Sequence, residues 1–370
     1  MKTASALRAL ASLPEVPATV VVGFDGFVDE MISVVAERTS LDQFSPVPDI
    51  ATFGGLISAA AGHSSLREIV ITAVHPGGCA VNLGDGLAAL GIPVDCYATL
   101  GEPPHPAFTE TVSRFRKAVS WGREPGRTLA FEFSDGKLMF SAVKQLADFT
   151  AEDISRRLAG GEYLASCRKA AIIALTDWTL YPHMTSVWSL LHREVYSQLT
   201  KRPKIFIDLV DPSSRSSSDI LAMLGTLPAL ETCGDVALGL NGNEANILAR
   251  LLGLGQAQEE EDAIRLAAEL RDKLGVSTIV IHKLKFAVSA GPSGTFSTQG
   301  PFCERPMKST GAGDRFNAGY CLGLIAAGSA EDCLVLGSAV SGFFVRNARS
   351  PCRRDLVSFL EQCDTGICVS

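Results

Sequence analysis

An α/β fold is predicted, with a doubly wound, mainly parallel sheet, helices on both faces and a small β lid. Three observations predict it. Short apolar, β-branched runs alternate with helix-length segments along most of the chain, the pattern of a parallel sheet covered on both sides. The stretch "RTLAFEFSDGKLMFSAV" (127–143) breaks that alternation, because it reads as two strands about an Asp135-Gly136 turn. The segments leaving the strands are rich in Gly, Asn, Asp and Ser, at the strand ends where open α/β sheets bind ligands. The 370 residues suffice for a single domain over 1–370, with a lid formed by parts of 30–75 and 105–142.

Each element has its own signal. Strands are expected at "TVVVGF" (19–24), "LREIVITAVHPGG" (66–78), "VDCYATLG" (94–101), "AAIIAL" (170–175), "KIFIDLV" (204–210), "DVALGL" (235–240) and "STIVIH" (277–282). Helices are expected at 79–91, stopped by Gly91, and near 183–199, 217–224 and 243–252. "EEEDAIRLAAELRDKLG" (259–275) starts acidic and ends basic, as the helix dipole favours, and Gly275 closes it. Two helices follow residue 313, the second opened by a Ser329/Asp332 capping box. The first residues form a short surface helix ended by Pro14. They contain Lys2 and Arg8 but not the continuous apolar core of a signal peptide.

Composition removes several classes of function. Hydrophobic residues make up 46% and charged residues 20%, the balance of an ordinary globular protein. A formal net charge of −7 gives nucleic-acid binding no electrostatic support. No apolar run approaches the ~20 residues that span a bilayer, so no membrane role is expected. The 10 cysteines are scattered without a C-x-x-C pair, and no H-E-x-x-H occurs. Reduced thiols, a cytoplasmic setting and no structural zinc are the expectation.

Four stretches carry the candidate chemistry. "GGCAVN" (77–82) places Asn82 one turn into a helix opened by Gly77 and Gly78. "DPSSR" (211–215) and "NGNE" (241–244) each follow a strand, the latter with Asn241 and Glu244 three residues apart. "GAGD" (311–314) opens the last pair of helices, and its small residues leave first-turn N–H groups accessible to an outside anion. A plain cap explains "NGNE" taken alone. No P-loop motif exists. "GDGLAA" (84–89) lies inside a helix and reads as close packing rather than dinucleotide binding.

Taken in this order, the set resembles the ribokinase-like (PfkB) carbohydrate kinase family over about residues 19 to 350. "GGCAVN" is similar to the family's G-G-x-x-x-N signature, "NGNEANIL" to its N-x-x-E-A motif and "STGAGDRFNAGY" to its closing signature. The resemblance implies transfer of a phosphoryl group from an ATP-type nucleotide, with Mg²⁺, to a sugar or nucleoside hydroxyl. It implies Asp314 as the base and the backbone N–H groups of Ala312, Gly313 and Asp314, behind Gly311, as the anion hole. Gly77, Gly78 and Asn82 would meet the sugar, and Glu244 with Asn241 would organise Mg²⁺ and phosphate. A sugar-binding aspartate belongs to "GFDGFVDE" (23–30), where both Asp25 and Asp29 fit.

Departures from the family pattern are equally specific. Its T-x-G-x-x-G nucleotide loop corresponds to "HKLKFA" (282–287), with Leu284 and Ala287 in place of the glycines, so the donor nucleotide stays open. Ser213 stands where many members carry Asn. Arg315 stands where Thr is usual; it reads as a phosphate contact or as a surface ion pair. Lys308 replaces an aspartate implied to bind a monovalent cation, so indifference to potassium is expected. Two other readings compete: a catalytically silent relative acting as sensor or assembly subunit, and a doubly wound oxidoreductase, for which no fingerprint exists. Acceptor choice is assigned to the lid, whose edges would suit a homodimer.

Overall fold

In the computed structural model, residues 1–14 and 18–364 are described. The strands in chain order are β1 (Thr19–Phe24), β2 (Phe27–Arg38), β3 (Phe44–Pro46), β4 (Ile69–Gly77), β5 (Val94–Ala98), β6 (Lys117–Ser120), β7 (Gly126–Phe133), β8 (Gly136–Ala142), β9 (Ala170–Thr176), β10 (Lys204–Asp208), β11 (Asp235–Asn241), β12 (Thr278–His282), β13 (Phe286–Gly291) and β14 (Gly294–Gln299). Nine of them form one sheet in the order β14-β13-β12-β11-β10-β9-β1-β5-β6. All pairings from β12 through to β6 are parallel, and β13 and β14 extend the sheet antiparallel. A second, five-stranded sheet holds β3, β2, β7 and β8, with β4 paired to β2.

The period-two pattern of the strands divides the core. On β1, Val21 enters one apolar cluster while Val20 and Val22 enter the other; Ile205 and Ile207 against Phe206 repeat this on β10. The first cluster lies under the Ala151–Leu158, Met184–Glu194 and Glu260–Leu274 helices. The second lies under Cys79–Ala89, Ala312–Ile325 and Ala330–Asn347. The expected helix at 259–275 runs Glu260–Leu274, with Gly275 left-handed behind it. The Ser329/Asp332 capping box is present.

Two stretches inside the ranges that supply the lid lie outside its sheet. Within 105–142, residues 117–120 pair parallel with β5 in the main sheet rather than joining the lid. The short helical turns at 106–112 supply the crossover that a parallel neighbour needs. Within 30–75, the stretch 50–59 is a helix, capped by the Asp49 side chain on the Thr52 N–H at 2.6 Å.

Candidate active site

The site gathers at the C-terminal ends of β1, β9, β10 and β11, where the Cys79–Ala89 and Ala312–Ile325 helices begin. Gly311 precedes the second helix with φ +85, a conformation that favours glycine. No side chain caps this end. The Ala312 N–H is spent on Ser309 O at 3.1 Å. Among the described residues, the N–H groups of Gly313 and Asp314 have no hydrogen-bond partner, so they are the open donors of the turn.

Asp314 is buried in that first turn, and Asn82 donates to its Oδ2 at 2.9 Å. Desolvation pushes its carboxyl up to about 7, helped by the nearby Asp208, while Arg315 and the Cys79 thiol oppose the shift. A carboxyl titrating near neutrality is suited to take a proton from an alcohol and release it again.

Asp25 and Asp29 separate in space. Asp25 is buried beneath the Cys79–Ala89 helix start; it accepts from the Cys79 N–H, from the Ala80 N–H at 2.9 Å and from Thr176 Oγ1 at 2.5 Å. Burial raises it to about 6 against those hydrogen bonds. It therefore acts as a remote helix cap. Gly78 has φ +96 and leaves no room for a Cβ against the Asp25 carbonyl. Asp29 lies on β2 at the root of the lid, packed so closely on Gly77 that a side chain there would collide with its carboxylate. It faces Thr128, Lys308 and Lys137, and burial raises its carboxyl. Of the two aspartates, Asp29 is the one carried by the lid sheet.

Asn241 and Glu244 form a capping box. Glu244 accepts from the Asn241 N–H at 2.8 Å and from its Nδ2 at 2.7 Å, and Asn241 Oδ1 accepts from the Asn243 and Glu244 N–H groups. The plain-cap reading of "NGNE" thus describes the local geometry. Burial, then Asp208, raises the Glu244 carboxyl well above the usual range. Arg315 is not a surface residue. It is buried, ion-paired to Asp85 Oδ2 at 2.7 Å, and stacked 4.6 Å from the Phe344 ring centre. Lys308 approaches the same ring at 5.7 Å, and Lys308 N–H and Met307 N–H both donate to Val345 O.

Two further carboxylates escaped the sequence reading. Asp177, with φ 53, and Asp208 stand buried at the ends of β9 and β10, and burial raises both. Asp208 accepts from Asn317 Nδ2 at 2.6 Å. Their signal was present as an acid closing each apolar run, "ALTD" and "FIDL", but such acids also occur in plain turns.

A cleft of about 580 Å³ opens on the other side of the anion hole. Asn241, His282, Leu284, Phe302, Gly313 and Val345 help to line it. His282 stacks on Phe316 at 4.8 Å, and desolvation lowers it to about 4, so it is neutral near pH 7. Lys283 donates to Gln258 O at 2.7 Å, and Leu284 is exposed. Its apolar walls, interrupted by polar groups such as Asn241, His282 and Ser309, fit a nucleotide. Among the described residues no three His, Cys, Asp or Glu side chains stand close enough to cage a metal. Hard carboxylate oxygens nearby fit an Mg²⁺ held mainly by phosphates and water.

Sheet, lid and anion hole together define a ribokinase-like carbohydrate kinase. Comparison with known proteins agrees and is more specific. A family model described as prokaryotic ketohexokinase matches residues 2–363, and the chain belongs to that family. A ketohexokinase of Haloferax volcanii is 29% identical over 343 residues, covering 92% of this chain and 90% of the relative. Among solved structures, ribokinase from Thermotoga maritima matches with a TM-score of 0.64 at 14% identity, covering 93% of this chain and 99% of that one. Arabidopsis thaliana ribokinase complexed with ribose and ATP gives 0.64 at 17%, covering 94% and 99%. No helix among the described residues is long and apolar enough to cross a membrane.

Proposed function

We propose that this kinase transfers the γ-phosphoryl group of ATP to a hydroxyl of a ketose of the ketohexose type. The observation that carries the chemistry is Asp314, buried at a helix start beside the two open N–H groups of Gly313 and Asp314. The family and the Haloferax volcanii relative suggest the acceptor class. The ribose- and ATP-bound fold relative favours ATP as donor.

In this reading the acceptor lies between Asp29 and Asp314. The hydroxyl oxygen bonds to the γ-phosphorus as the bond from phosphorus to the β–γ bridging oxygen breaks. The hydroxyl proton passes to Asp314, and the nucleoside diphosphate leaves. Asn82 holds the Asp314 carboxylate toward the hydroxyl through its 2.9 Å bond. The Gly313 and Asp314 N–H groups meet the transferring oxygens, where such donors are worth ~3 kcal/mol each. Bound Mg²⁺ would supply charge neutralisation on the phosphates. Asn241 and Glu244 would face that complex, and burial among other acids makes Glu244 a group that gains from a nearby cation.

The test is a panel of ketoses, aldoses and nucleosides, each offered with ATP, ADP or GTP and assayed for nucleoside diphosphate and phosphorylated product. Turnover with a ketohexose above the other acceptors is expected. Preference for an aldose or a nucleoside would overturn the acceptor, and no turnover with any pair would revive the silent binder.

A further inference from the structure

The lid hairpin sends one cation across to the anion hole. Lys137 is the second residue of β8, and its Nζ donates to Thr310 Oγ1 at 3.4 Å. Thr310 directly precedes Gly311, so an ammonium group from one sheet reaches the mouth of a helix that rises from the other. The same Nζ is 3.0 Å from Glu132, its cross-strand neighbour on β7. An ammonium group has three donors. Lys137 is ion-paired with Glu132 and makes one long bond to Thr310, so donor capacity is left over.

Lys137 is not alone there. Lys308 is half-buried and, among the described residues, has no carboxylate at ion-pair distance. Burial, then Arg315, then Lys137 lower its pKa, so these cations crowd one another. Arg315 is neutralised by Asp85 and Lys137 only by the half-exposed Glu132. Asp29 faces both lysines from the lid side but forms an ion pair at contact distance with neither, so the two ammonium groups stand close together outside Gly311 with only Glu132 paired to one of them. Two ammonium groups held together this way cost energy unless an anion comes between them. The only anion that the reaction brings to Gly311 is the phosphoryl group.

We propose that Lys137 is the lid's own contribution to phosphoryl transfer: its ammonium contacts the oxygens of the transferring group while the acceptor is bound. The inference rests on the phosphotransferase reading above. Charge spreads over the equatorial oxygens of that group in the transition state, and a cation aimed at them stabilises it more than the ground state. Acceptor binding under the lid and catalysis at the helix start are then linked by one side chain. No bond to Lys137 forms or breaks; the proton still goes to Asp314.

Lys137→Met removes the charge and keeps most of the stem, Lys137→Arg keeps a charge, and Glu132→Gln frees the ammonium from its tether. We expect Lys137→Met to lower kcat by at least about tenfold with little change in either KM, the signature of a group used in the transition state. Lys137→Arg should recover part of that loss, and Glu132→Gln should not reproduce it. If wild type turns over but Lys137→Met matches it, the inference fails and the kinase reading survives. If Glu132→Gln loses as much as Lys137→Met, the lysine only braces the hairpin and the inference fails. If wild type is inert with every acceptor and nucleotide, both readings fall together.

Discussion

The main sheet and the lid sheet bury their residues to opposite degrees. Every residue of β5 is buried, and β1, β9 and β10 are buried at all but their first positions or two. No residue of β8 is fully buried, and Ile69, Ile71, Val74, Met139 and Phe140 of the lid are exposed. The main sheet has helices on both faces, whereas the lid leaves apolar surface uncovered. The first environment desolvates Asp314 enough to hold its carboxyl near neutrality. We propose that the second, with its exposed apolar side chains, selects the acceptor and offers a surface to a partner. Substitutions in the main domain should therefore change the chemical step, and those in the lid, Lys137 apart, should change affinity or association.

The largest effect is expected at the main sheet's end. Asp314→Asn should lower kcat at least ~100-fold with nucleotide affinity nearly intact, measured by steady-state kinetics and nucleotide titration. Lys308→Ala should follow, slowing turnover by roughly tenfold, a loss of ~1.4 kcal/mol in the transition state. Wild type assayed in sodium buffer should be indifferent to added KCl at constant ionic strength, and strong stimulation would show a cation site made from other ligands. Glu244→Gln should raise the Mg²⁺ concentration giving half-maximal rate by a few-fold, since a charged oxygen is lost near the nucleotide complex. A pH profile sharpens the same contrast. Asp314 works deprotonated, so kcat/KM should rise through a midpoint near the carboxyl's value of about 7. Asp208→Asn should shift that limb to lower pH. The smallest effect on turnover belongs to the lid's outer face. Ile71→Glu should leave kcat almost unchanged while sedimentation reports a smaller species if the lids pair; an unaltered oligomer would move the interface elsewhere.

How much of this was legible follows the range of the interactions involved. The 19–24 strand was read to its residue bounds, and the Asp135-Gly136 hairpin was found, because apolar alternation and turn chemistry are local. The Asn241–Glu244 box was equally local. Asp25 was not decidable, since its cap is a helix that starts far along the chain. Arg315 was left between a phosphate contact and a surface ion pair because Asp85 and Phe344, which enclose it, come from other helices. The stretch 30–75 yielded least: β2 is fixed by pairing with β7 and β4, and β3 by pairing with β2, not by their own pattern. Asp177 and Asp208 became significant only once the strands stood side by side.

The buried acids have one more consequence, for how the chain tolerates change. Asp25, Asp177, Asp208, Glu244 and Asp314 all bind protons more tightly folded than unfolded. Such groups favour the fold fully below the unfolded carboxyl range, and that advantage disappears as pH climbs through the folded values, about 6 for Asp25 and about 7 for Asp314. At pH 8 each is a liability to the unliganded protein. An amide at any of these positions removes that liability, though at Asp25 and Glu244 it also weakens a helix cap. A library sorted at that pH for heat resistance alone would therefore enrich Asp314→Asn and its like, accumulating sturdier molecules that no longer turn over.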